Sequence, residues 1–132
     1  MNAPASVDLG VAGIAWDLHD LTGSDDPASV TALLDDADTA AAAMQRHRGT
    51  IAALDAAALA TVMHELETLT ESVSRASSRV FLDYATDVSD PVRGAAMARL
   101  QERATAISTQ VMFVELEWAA ADDAHADAVL AD

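Results

Sequence analysis

Seven apolar or small residues, Leu59, Val62, Leu66, Leu69, Val73, Ala76 and Val80, follow one another in steps of three, four, three, four, three and four. An α-helix places such a series along one side of the backbone, because residues three or four apart are neighbours on its surface. The spacing predicts a helix that opens at Asp55 and runs to about Thr86, with one continuous seam facing a neighbouring element. About 32 residues at about 1.5 Å each would make a rod near 48 Å, with Ser77 and Ser78 as the place for a bend.

Two further helices are predicted beside it. Gly23-Ser24-Asp25-Asp26-Pro27 is a helix start, with Asp26 positioned to cap free backbone N–H groups and Pro27 suited to the first helical position. The helix that follows should reach about Arg48, carry its stripe on Val30, Leu33, Leu34, Ala37, Ala41 and Met44, and stop at Gly49. Ser89-Asp90-Pro91 repeats the start signal and predicts a third long helix to about Ala121. Its seam runs through Leu100, Ala104, Ile107, Val111, Val114 and Trp118, while Met97, Met112, Phe113 and Leu116 widen the apolar surface beyond it. A short fourth helix is expected between Asp122 and Asp132.

Prolines occur only at positions 4, 27 and 91, alanine is abundant, and no stretch alternates like a strand. The predicted fold is therefore all-α: an antiparallel bundle of three long helices plus a short C-terminal helix. Residues 1–15, with Pro4, Gly10 and Gly13 but no helical period, are expected to form an extended or mobile lead, and residues 16–132 the helical domain. Alanine buries little area, so Trp16, Phe81, Tyr84, Phe113 and Trp118 are expected to contribute most to packing, with Trp16 as the first anchor.

Arginine is the only strongly basic residue type, seven copies against 22 acids, for a net charge of −15. Such a surface repels phosphate backbones and anionic lipid, so nucleic-acid and membrane-surface roles are disfavoured. Spread along the chain, the acids read as a solvated surface, the other reading being a docking face for a basic partner. Cysteine is absent, which excludes disulfides and thiolate metal sites. With neither a basic leader nor a sustained apolar run, the chain is expected to be cytoplasmic and free of membrane spans.

His64-Glu65-Leu66-Glu67-Thr68 approaches a zincin helix, in which histidines at i and i+4 share one face and the glutamate beside the first acts as general base. Thr68 occupies the second histidine's place, and a threonine hydroxyl is a poor zinc ligand. Asp122-Asp123-Ala124-His125 reads as a helix cap, and Asp35, Asp36 and Asp38 lack the glycine and glutamate of a calcium loop. No glycine-flanked nucleophile, phosphate loop or dinucleotide fingerprint is present. No catalytic or metal-binding residue is assigned.

Trp16-Asp17-Leu18-His19-Asp20-Leu21, Asp26-Pro27, Asp90-Pro91 and the stretch from Glu102 to Trp118, above all Phe113-Val114-Glu115-Leu116-Glu117-Trp118, together resemble the N-terminal region of oligoendopeptidase F-type zinc metallopeptidases, relatives of thimet oligopeptidase. Thr22 departs from the aromatic residue expected there, and Ser77-Ser78-Arg79 replaces a stretch where tyrosine is frequent in that family. The resemblance implies a noncatalytic helical domain that supports a C-terminal catalytic region, in cis or in trans, and forms part of the wall of a cleft for short peptides. Zinc and peptide hydrolysis would belong to that region, whose His-Glu-x-x-His helix has no counterpart here. Phe113, Leu116 and Trp118 are the candidate interdomain contacts, the other reading being that they pack on the second helix. A stand-alone acidic interaction module, including a homodimer, is the alternative.

Overall fold

The computed structural model describes residues 16–131. Over these the chain is all-helical, without a strand: α1 (His19–Thr22), α2 (Ala28–Met44), single 3₁₀ turns at Gln45–His47 and Ile51–Ala53, α3 (Ala56–Thr86), α4 (Pro91–Val111), α5 (Phe113–Ala119) and α6 (Asp123–Leu130). The lead expected over residues 1–15 lies outside the described residues.

Aspartates start four of these helices. Asp26 Oδ1 accepts from Ala28 N–H at 2.9 Å, Asp55 Oδ1 from Ala58 at 2.8 Å, Asp90 Oδ1 from Val92 at 2.7 Å and Asp122 Oδ2 from His125 at 3.2 Å. Each satisfies one of the N–H groups that the first turn leaves free. Gly49, at φ +84°, takes the left-handed turn after the 3₁₀ segment and lets the chain reverse into α3. α3 is continuous through Ser77 and Ser78, and its 31 residues make a rod of about 46 Å.

The turn into α4 is held by Asp87, whose Oδ1 accepts from the Ser89 hydroxyl at 2.7 Å and from Ser89 N–H at 3.0 Å. These bonds, the hydroxyl's first, hold the Asp87 carboxyl below its ordinary range. A depressed folded value means that the contribution is present above the unfolded pKa, near 3.9, and is lost as pH falls through the folded one. Ser89→Ala should raise the Asp87 pKa toward that ordinary value, read by carboxyl ¹³C NMR titration. An unchanged midpoint would show that the hydroxyl does not set it.

Ion pairs define how the helices run. Asp25 meets Arg79 at 3.2 Å at one end, and Arg46 pairs with Glu65 at the other, so α2 and α3 are antiparallel. Arg103 joins Asp35 at 2.8 Å and also Asp38, and Gln45 Nε2 donates to the Gln110 carbonyl at 2.8 Å, so α4 runs alongside α2 in the same direction. The bond to Asp38, followed by that to Asp35, keeps the Arg103 guanidinium above its usual pKa.

Between these helices lie Leu34, Ala37, Ala41 and Met44 from α2, Val62, Leu69, Ala76 and Val80 from α3, and Leu100, Ile107 and Val111 from α4. Ile51, Phe113 and Val114 close the end of this core. Ala37, Ala41 and Ala76 are buried and let the backbones approach closely. Every member of the predicted α3 seam is buried or partly buried.

Two expectations are corrected. The third helix does not run unbroken from Pro91 to Ala121: its regular ladder is interrupted at Met112, separating α4 from α5. Neither proline nor glycine stands there. Gln45 instead brings a side-chain donor to the Gln110 carbonyl, two residues before the break, and a side chain inserted at a helix ladder disturbs it. Trp16 is also not the anchor of the N-terminal stretch, being 76% exposed. Arg75 holds it from α3, its Nε donating to the Leu21 carbonyl at 2.8 Å.

Candidate functional site

Of the residues that approach a zincin motif, Glu65 joins two elements, whereas His64, Glu67 and Thr68 are exposed. Glu65 Oε2 lies 3.1 Å from His47 Nε2, and its other oxygen pairs with Arg46, so this carboxylate ties α3 to the end of α2. His64 faces outward beside Glu67, with Nδ1 3.5 Å from the carboxylate. Thr68, in the second histidine's place, donates its hydroxyl to the His64 carbonyl at 3.0 Å. His125 Nε2 sits 3.0 Å from the Leu54 carbonyl and links α6 to the loop before α3. Among the described residues, no three of His, Asp and Glu are grouped so as to hold a metal ion. Asp35 and Asp38 are engaged by Arg103.

The stretch from Phe113 to Trp118 divides by burial. Phe113 is 4% exposed and lies within the chain's own core, its ring beneath the Arg48 guanidinium at 4.5 Å to the centroid, a favourable cation–π distance. Trp118 is partly buried against the same core. Leu116, by contrast, is 62% exposed, and Met112, one turn earlier on the same face, is 48% exposed. Of the three candidate contact residues, Leu116 is the one whose side chain the described fold leaves largely uncovered.

Glu117, on the same short helix, carries a structural role that sequence reading missed. Its two carboxylate oxygens accept from Gly49 N–H at 2.8 and 2.9 Å, and Oε2 also takes Ile51 N–H at 3.2 Å. The carboxylate thereby satisfies backbone donors in the turn between α2 and α3, a job that nothing in the local sequence of either segment announces.

A cleft of about 490 Å³ opens between the first half of α2, the end of α3 and the first half of α4. Arg79, Arg93, Arg99 and Arg103 line it, four of the seven arginines in the chain. The cleft was not foreseen. Its available signal was the step of three, four and three through Arg93, Ala96, Leu100 and Arg103, which sets two arginines and two apolar residues on one face of α4.

No known protein family, curated protein or solved structure matches this chain.

Proposed function

We propose that this chain is the noncatalytic N-terminal helical region of an oligopeptide-cleaving zinc metalloendopeptidase of the oligoendopeptidase F type. In this reading α2, α3 and the successive α4 and α5 act as the three long members of an antiparallel bundle, with α6 as the short C-terminal helix. The unit supports the catalytic region and contributes to the wall of the substrate cleft. Zinc and the attacking water belong to the catalytic region.

The observation that carries the proposal is the exposed pair Met112 and Leu116. It lies in the same stretch that carries the family resemblance, and apolar side chains adjacent on one helix face offer a contact for another protein surface. Phe113 and Trp118 serve that contact indirectly by fixing α5 on the core.

Purified chain supplied with zinc should leave short peptides intact, and hydrolysis should arise only when a catalytic region bearing His-Glu-x-x-His is present. Metal-dependent turnover by the chain alone, surviving removal of contaminating peptidases, would overturn the proposal. A stable dimer without affinity for the catalytic region would instead favour the interaction-module reading.

A further inference from the structure

The arginine-lined cleft has an apolar floor made by Val30, Leu34, Val80, Ala96 and Leu100, of which Leu34, Val80 and Leu100 are buried. Its volume of about 490 Å³ falls in the range of small-molecule sites, about 300–1,000 Å³. An apolar enclosure with convergent polar groups at its edge is the usual construction of such sites.

The pairing of the arginines points to the ligand. Three of the four arginines are held by carboxylates that do not line the cleft: Arg79 by Asp25 at 3.2 Å, Arg93 by Asp90 at 3.5 Å, and Arg103 by Asp35 and Asp38. Of the two acids in the lining, Asp26 is engaged by Ala28 N–H and Asp83 lies 3.9 Å from Arg93. Arg99 has no carboxylate within 4.0 Å among the described residues. Arg99 is therefore the lining arginine left without a carboxylate partner among the described residues, and the planar fork of a guanidinium matches a carboxylate through two parallel hydrogen bonds.

We infer that this cleft binds a small apolar carboxylate, with its hydrocarbon on the Leu34, Val80 and Leu100 floor and its carboxylate on Arg99. The inference goes beyond the peptidase reading and does not depend on it. A medium-chain fatty acid and the apolar C-terminal residue of a peptide share this chemistry.

The test is a ¹H–¹⁵N NMR titration of the full chain with octanoate, octylammonium, and acetyl-Leu-Leu as its free acid and as its amide. Octanoate should shift the Val92, Ala96 and Leu100 amides saturably, and octylammonium should not. Arg99→Gln, at an exposed position, should weaken octanoate binding by about tenfold or more, as loss of a charged hydrogen-bonding partner predicts. Ala96→Leu should narrow the cleft and weaken binding while leaving Arg99 in place. Arg99-dependent binding of the acetyl-Leu-Leu acid but not its amide would extend the ligand to peptide C-termini, whereas octanoate alone would assign fatty acids; either supports the carboxylate site. Octylammonium binding as tightly as octanoate at these amides, or an Arg99→Gln protein that titrates like the parent, would overturn it.

Discussion

Phe113→Ala is expected to lower the unfolding free energy by about 3–5 kcal/mol, whereas Phe81→Ala should cost about 1 kcal/mol or less. The two residues are chemically identical and differ in where the fold puts them. Phe113 is 4% exposed at the closed end of the core, and Phe81 is 58% exposed on the outside of α3. Truncating Phe113 removes its dispersion contacts, leaves a cavity beside Ile51 and Val114, and removes the ring under Arg48. Truncating Phe81 removes surface that water already touches. Urea denaturation of the two variants measures the difference as a shift in midpoint at constant slope. Equal midpoints would mean that Phe113 is not in the core.

The second large effect is expected at Glu117. Glu117→Ala should destabilise the fold by about 1–3 kcal/mol, because Gly49 and Ile51 lose a charged acceptor and the Ile51 N–H is partly shielded from water. Glu117→Gln should recover part of the loss, since the amide keeps one acceptor oxygen. Glu115→Ala, an exposed position on the same helix, should stay within about 0.5 kcal/mol of the parent. Denaturation gives the energies, and amide hydrogen exchange at Ile51 locates the cause through accelerated opening in the alanine variant. If Glu117→Ala behaved like Glu115→Ala, the contact would contribute nothing to the turn.

Local chemistry was the most legible part of this chain. Asp26, Asp55, Asp90 and Asp122 announce helix starts because a cap acts across two or three residues. The α3 seam was legible because its phase depends on one helix alone. The break at Met112 was not: the contact beside it comes from Gln45, 65 residues away in sequence from Gln110. The clasp between Glu117 and Gly49 was hidden for the same reason.

The aromatic residues show a different limit. Size suggested five anchors, but phase separates them: Phe81 follows the seam residue Val80, and one residue along a helix is a rotation of about 100°. Trp16 had no seam to place it. In the candidate site, the spacing of Arg93, Ala96, Leu100 and Arg103 was visible, but their cleft depends on how the ends of α2 and α4 stand apart over α3. Leu116 was legible as surplus apolar surface on α5, and burial alone separates its outward face from that of Phe113.

Docking to a catalytic region is tested most directly by sedimentation velocity of this chain mixed with an oligoendopeptidase F-type catalytic region from the same source. The parent chain should form a one-to-one complex, and Leu116→Asp, which places a charge on an exposed side chain of the proposed contact face, should abolish it while keeping the parent's helical content and unfolding midpoint. Absence of a complex with the parent chain, or a complex indifferent to Leu116→Asp, would contradict the assignment of α5 as the docking face.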